Sequence, residues 1–206
     1  MSRISEELKD RRKDEIISAC AELYQTFSFR EITIKKIGDV ISFSRTSIYN
    51  YFQTKEEIFL ALLRKEYELW ISDLVRIQSD NMNLTCSGFA GALAESLGKR
   101  QVMLKIMSTS LYDMETECSI GHLTDFKRVY GMSMKEIRNC LDKFFPYLTN
   151  WDKLDFIYSF FPFMFGIYPY TTLTENQRKA MQLAGVKHVN MTVYDMVYNH
   201  VIKMLS

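Results

Sequence analysis

The stretch Thr33–Leu62, TIKKIGDVISFSRTSIYNYFQTKEEIFLAL, decides the fold. It reads as a short helix, a tight turn, a second short helix and the start of a long third one. Thr33 stands as an N-cap, since its hydroxyl accepts from the free N–H groups of a first helical turn. Ile32 and Ile37 around it fit a hydrophobic staple. The spacing predicts a helix over 34–41 with Ile34, Ile37, Val40 and Ile41 facing inward and Lys35 and Lys36 outward. Ser42-Phe43-Ser44 is the turn, with Phe43 as a buried plug and Ser44 as the next cap. In the helix expected over 45–52, Ile48 and Phe52 face the core. Arg45, Thr46, Ser47, Tyr49, Asn50 and Tyr51 are left facing out. Thr54-Lys55-Glu56-Glu57 fits a capping box in which Glu57 reaches back to the cap N–H. Two short helices around a turn of three or four residues are a helix-turn-helix, whose second helix enters the major groove of DNA.

Working outward, residues 6–27 form a first helix with Ile16, Ile17, Cys20, Leu23, Tyr24 and Phe27 on one face. The run Asp10 to Asp14 carries Arg11, Arg12 and Lys13, which read either as a solvated face or as phosphate contacts. The helix capped at Thr54 continues to about Gln78, long enough to leave a small N-terminal bundle and enter a second one. The domain organisation expected is therefore a helix-turn-helix domain over 1–63 and a second, larger helical domain over 64–206. Further helices are expected over 85–97, 99–112, 117–145, 151–168 and 189–205, with Pro162 as a kink and Pro169 as a stop. With only 8 glycines and 3 prolines to make turns, the fold class expected is all-α.

Composition narrows the function. Formal net charge is +1, so any DNA binding comes from a local patch. The charged N-terminus has no apolar signal core. The apolar run 154–170 is interrupted by Asp155, Pro162 and Pro169 and falls short of the ~20 residues a membrane span needs. A cytoplasmic protein without a membrane segment is expected. Cys20, Cys86, Cys118 and Cys140 show no paired spacing, which suits a reducing compartment. Cys118 and His122 share a helical spacing, but two ligands do not make a metal site. No metal and no cofactor is expected. Nucleophile elbow, zinc-protease, phosphate-loop and dinucleotide motifs are all absent from the sequence, so no enzyme is expected.

A helix that reads DNA needs cations and hydroxyls for phosphates, side chains for base edges, and an apolar reverse face. Thr33, Tyr49, Tyr51 and Lys55 stand at the rims for phosphates, with Lys35, Lys36 and Ser44 beside them. Arg45, Thr46, Ser47 and Asn50 are the candidates for bases, since Arg suits guanine and Asn suits adenine.

The segment Ile37–Leu60, IGDVISFSRTSIYNYFQTKEEIFL, closely resembles the DNA-binding signature of TetR-family transcriptional regulators. Ile37, Phe43-Ser44, the block Ile48 to Phe52 and Lys55-Glu56 carry the likeness, which covers about residues 10–63. The resemblance implies an all-helical homodimer with DNA contacts from Thr33, Tyr49, Tyr51 and Lys55, and a C-terminal domain that takes a small effector. Two positions depart. The family often has Ala-Gly where Ile41-Ser42 stand, so Ser42 is expected to strain the turn. It often has glycine where Thr46 stands, so the operator preference is expected to differ.

The second half carries no such signature. Trp70, Met103, Met107, Tyr112, Phe126, Tyr130, Met134, Phe160, Met164 and Tyr168 are its candidates for an effector site, since methionine and aromatic rings suit a roomy apolar pocket. Plain core packing is the competing account. The last two long helices, 151–170 and 189–205, are apolar enough to pair across a two-fold axis. The reading expected is a repressor released from a palindromic operator on double-stranded DNA by a small, largely apolar or aromatic effector. The alternative is a helical regulatory protein controlled by a protein partner, with no small-molecule effector.

Overall fold

The computed structural model describes residues 3–206, with side chains from residue 6 onward. It is 78% helical with no strand among the described residues, which bears out the all-α expectation. The chain divides into two compact units, Met1–Tyr67 with Thr109–Tyr130, and Glu68–Ser108 with Gly131–Ser206.

The first unit is built on α1 (Arg3–Thr26), α2 (Ile34–Gly38), a 3-10 helix (Arg45–Asn50) and the first half of α3 (Lys55–Asp80). To these it adds α6 (Leu111–Glu117) and the start of α7 (Ile120–Phe144). Ile16, Cys20, Ile32, Ile37, Ile48, Ile58, Phe59 and Leu63 are buried in its core. Phe59 takes Tyr24 and Phe29 edge-on, with centroids 5.0 and 4.7 Å away. Tyr24 keeps its hydroxyl bonded to Thr109 Oγ1 at 3.0 Å, as a buried phenol requires.

The second unit contains α4 (Cys86–Gly98), α5 (Gln101–Thr109) up to Ser108, the rest of α7, α8 (Asn150–Thr171), α9 (Glu175–Leu183) and α10 (Val193–Leu205). Phe89 sits among Phe144, Phe145 and Phe156. Trp70 is fully buried against Phe161, and its indole N–H donates to Ser96 Oγ at 3.1 Å. In α10, Val193, Val197, Val201 and Leu205 recur every four residues and are buried, and α10 packs chiefly on α4.

Several local expectations are corrected. The helix expected over 99–112 is cut into α5 and α6 at Ser110. The helix expected from residue 117 begins at Ile120, after extended Cys118. Pro162 and Pro169 both lie inside α8, which runs on to Thr171, so Pro169 is not a stop. Tyr158, Pro162, Phe165 and Pro169 share the exposed face of α8. The carbonyls that those prolines leave without an N–H are thus not enclosed by this chain, which lowers the cost of each proline.

Candidate DNA-reading interface

The interface begins at Thr33. Its backbone is extended and its hydroxyl accepts from the Lys36 N–H at 3.1 Å, so Thr33 caps α2. α2 ends at Gly38, earlier than the periodicity implies. Ile37 is fully buried, whereas Val40 is 54% exposed and points outward. The stem of Arg45 lies against Gly38, where a Cβ would meet Arg45 Cγ at 2.5 Å and Cβ at 2.8 Å. The bare glycine lets the reading helix approach closely.

The turn is held from α1. The Ser42 N–H donates to Glu15 Oε1, and this bond, with a second from the Ser42 side chain, holds the exposed Glu15 carboxyl below its ordinary value. No residue other than glycine has a positive φ among the described residues. Ser42 therefore carries no glycine-like strain, contrary to expectation. Phe43 is half-buried, with the Arg12 guanidinium 5.1 Å from its ring centroid. Arg11 and Lys13 are exposed.

The reading element is a 3-10 helix over Arg45–Asn50, where an α-helix to Phe52 was expected. The winding is tighter than in α2, and 3-10 turns of this kind are common as short connectors. Ile48 is fully buried and Phe52 nearly so, which anchors the reverse face. Arg45, Thr46, Tyr49 and Asn50 are exposed, and Ser47 and Tyr51 are half-buried. Ser44 precedes the helix but makes no side-chain cap bond. Its Oγ instead lies 3.2 Å from Thr46 Oγ1 and 2.9 Å from Ser47 Oγ, giving a cluster of three hydroxyls. At the far end, Gln53 Nε2 donates to the Tyr49 carbonyl at 2.7 Å and closes the helix.

Among the rim cations, Lys35 is exposed. Lys36 Nζ stands 3.5 Å from the Phe27 ring centroid. Lys55 Nζ donates to the Phe29 carbonyl at 3.0 Å and lies 4.2 Å from that ring. An ammonium has three donors, so Lys55 can hold Phe29 and still meet a phosphate.

Behind the reading helix lies a polar hub that the local motifs did not reveal. Glu57 is only 4% exposed. Its N–H donates to Thr54 Oγ1 at 3.2 Å, which is half of the expected capping box. The other half is shifted: Glu57 Oε2 accepts from the Gln53 N–H at 2.7 Å, one residue before the cap. Glu57 Oε1 lies 3.0 Å from His122 Nδ1, and Ser119 Oγ is 3.1 Å from the same nitrogen. The His122 ring lies 5.8 Å from Phe52. His122 thus faces a carboxylate, and no group of three or more His, Cys, Asp or Glu side chains is placed to hold a metal among the described residues. Nothing near Glu57 in sequence signals this distant partner.

Burial of Glu57 pushes its pKa up, but the Gln53, His122 and Ser119 bonds outweigh burial and leave it below the ordinary 4.5. The ionised form is thus favoured by folding. Its stabilisation is fully present above the unfolded value of 4.5 and fades as pH falls through the lower folded value. Glu57→Gln should therefore cost about 1–3 kcal/mol at neutral pH. Urea unfolding from about pH 5.5 to about pH 3 should show that difference shrinking. A pH-independent difference would remove the carboxylate's role.

The residues named for an effector separate into the two units. Trp70, Met103, Met107, Phe160 and Met164 are buried in the second, with Met134 and Tyr168 half-buried there. Phe126 is buried and Tyr130 half-buried in the first, and Tyr112 is 85% exposed on α6. An open cleft of about 200 Å³ in the second unit is lined by Asp73, Arg76, Asp80 and Asn81 of α3, and by Glu95, Ser96 and Lys99 among others. None of the ten residues named from sequence lines it.

Two family matches cover most of this chain. Residues 16–62 match the family described as "Bacterial regulatory proteins, tetR family". Residues 64–206 match "Tetracyclin repressor-like, C-terminal domain". The chain belongs to the TetR family of transcriptional regulators. The HTH-type transcriptional regulator RutR of Escherichia coli K12 is 28% identical over 69 residues, 34% of this chain and 32% of that protein. RutR of Shigella flexneri matches over the same share. The chain thus matches only about a third of the length of these curated relatives. The solved structure of the fatty acid degradation regulator FadR from Bacillus halodurans superposes with a TM-score of 0.61 over 94% of both chains, at 13% identity. That likeness shows a shared fold. The family and these relatives are regulators, not enzymes, and members of the family bind DNA and act as dimers with small-molecule effectors. No helix among the described residues is long and apolar enough to cross a membrane.

Proposed function

We propose that this TetR-family protein is a cytoplasmic repressor that grips a palindromic operator as a homodimer and lets go when a small effector binds. One observation carries the reading. Arg45, Thr46, Tyr49 and Asn50 are displayed together on a short helix whose reverse face is pinned by buried Ile48 and Phe52. Thr33, Lys35, Lys36, Ser44, Ser47, Tyr51 and Lys55 surround it as phosphate and rim contacts. The DNA-binding part is residues 1–63 and the effector and dimerisation part 64–206, a division supported by the ranges of the two family matches.

The dimer forms through α8 and α10. Trp151, Tyr158, Phe165 and Tyr170 leave one face of α8 apolar and exposed, and Tyr194 and Tyr198 stack beside each other on α10. The valine row of α10 is occupied within its own chain, so α8 supplies most of the surface. The effector is apolar or aromatic and enters beside Met103, Met107 and Met164, whose flexible side chains repack most readily. For release, the effector must bind the two dimer geometries with unequal affinity.

The test is a salt titration of DNA binding. Lys55→Ala should lower affinity for every sequence and flatten the salt slope by about 1 per half-site. It should also cost about 1 kcal/mol of stability through the lost Phe29 bond. Tyr49→Phe should weaken binding without changing the slope. Unchanged binding in both variants would refute the phosphate assignment.

A further inference from the structure

We propose that His122, on the first turn of α7, is a positioning residue for DNA reading. Through Glu57 and Phe52 it fixes the end of the reading helix, and so the direction in which Tyr49 and Asn50 are presented. The role rests on the reading helix proposed above.

The match to the DNA-binding part of the family ends at residue 62, and His122 lies in the range 64–206 of the other match. Compactness divides the chain differently. Residues 109–130, with His122 among them, belong to the same unit as the reading helix.

The support can be followed bond by bond. The N–H groups of Tyr51 and Phe52 both return to the Ile48 carbonyl, at 2.8 and 3.0 Å. The next N–H, that of Gln53, donates instead to Glu57 Oε2 at 2.7 Å. The Gln53 side chain reaches back to the Tyr49 carbonyl at 2.7 Å. One residue thus ties the last turn of the reading helix to the Glu57 carboxylate. The other oxygen of that carboxylate, Oε1, stands 3.0 Å from His122 Nδ1. Ser119 also bonds to the carboxylate and lies 3.1 Å from the same nitrogen. α7 has no acidic residue in its own first turn, so Glu57 supplies the negative charge that a helix N-terminus favours. His122 has a second hold, since its ring lies 5.8 Å from that of Phe52. Phe52 and Ile48 are the buried anchors of the reading helix.

The geometry also fixes which nitrogen carries the proton. The bonds to Glu57 favour its ionised form, and an ionised carboxylate only accepts. Nδ1 must therefore be protonated, which leaves Nε2 bare when the ring is neutral. A histidine that merely filled space would have no such requirement.

Fluorescence anisotropy on the full-length protein tests the role. The probe is a labelled duplex selected from a random-sequence library by the wild-type protein, with an unrelated duplex beside it. Arg45→Ala is the control for the reading helix itself. His122→Phe keeps a ring against Phe52 but removes the donor, and should weaken binding of the selected duplex by about 3- to 30-fold. The unrelated duplex should lose less, and the salt slope should not change, because no phosphate contact is removed. His122→Asn places an amide N–H near the position of Nδ1 and should restore binding to within about 3-fold of the wild type. Imidazole nitrogen NMR of the wild type should show a proton on Nδ1 of His122 at neutral and mildly alkaline pH. Wild-type affinity in His122→Phe, equal losses in His122→Phe and His122→Asn, or a bare Nδ1 would each overturn the positioning role and leave the reading helix standing. A duplex that Arg45→Ala binds as tightly as the wild type would remove the reading helix and the positioning role together.

Discussion

Arg45→Ala and Asn50→Ala should each weaken operator binding by about 2–6 kcal/mol, which is about 30-fold to about 10⁴-fold. The magnitude follows from symmetry. A side chain that reads one base edge is worth about 1–3 kcal/mol, and a dimer on a palindrome loses it twice. Both residues are exposed, so the chain should keep its stability to within about 0.5 kcal/mol. Discrimination should relax at one base pair per half-site for each variant, while binding to unrelated DNA falls far less. Fluorescence anisotropy against the operator and single-base variants of it measures both quantities. Loss that is uniform across sequences would reassign these residues to the phosphate backbone. Thr46 belongs in the same series. Its hydroxyl lies within 3.2 Å of Ser44, so Thr46→Gly should alter which bases are preferred while the fold stays intact.

Tyr158→Glu should convert the dimer to a monomer and reduce operator affinity by about 10²–10⁴-fold. Tyr158 lies on the exposed apolar face of α8 with Trp151 and Phe165, and its removal leaves the buried row Phe156, Phe160, Phe161 and Met164 in place. A two-fold interface encounters the substitution twice, and an unpaired charge enclosed there costs several kcal/mol. The monomer should still fold, so its helical circular dichroism should match the wild type. A single reading helix then binds one half-site, and the gain from linking two is lost. A dimer that survives the substitution would place the interface elsewhere.

The helix-turn-helix was legible because its signals are local. Thr33 caps as its hydroxyl implies, and Ile37, Ile48 and Phe52 are buried as their spacing implies. What escaped depends on tertiary contact. No periodicity says that Gly38 must stay bare beneath Arg45, or that α2 ends before Val40, which is exposed although its spacing points inward. Nor does the spacing of Ile48 and Phe52 distinguish an α-helix from the 3-10 helix that Arg45–Asn50 forms. Glu57 showed its capping role, yet its bond to His122 joins residues far apart in the chain. The prolines of α8 misled for a similar reason. A proline usually breaks or kinks a helix, yet here both lie on the exposed face of α8 and the helix runs through them. Aromatic and methionine residues at helical spacing do not distinguish core from pocket, and Trp70 and Phe160 are fully buried while Tyr112 is exposed.

Selection of bound duplexes from a random DNA library tests the central claim most directly. The account predicts a two-fold symmetric site whose half-sites are centred about 34–36 Å apart, or a multiple of one helical turn. Preferences within each half-site should shift when Arg45, Thr46 or Asn50 is replaced. Recovery of asymmetric or sequence-independent DNA, unaffected by those substitutions, would contradict it.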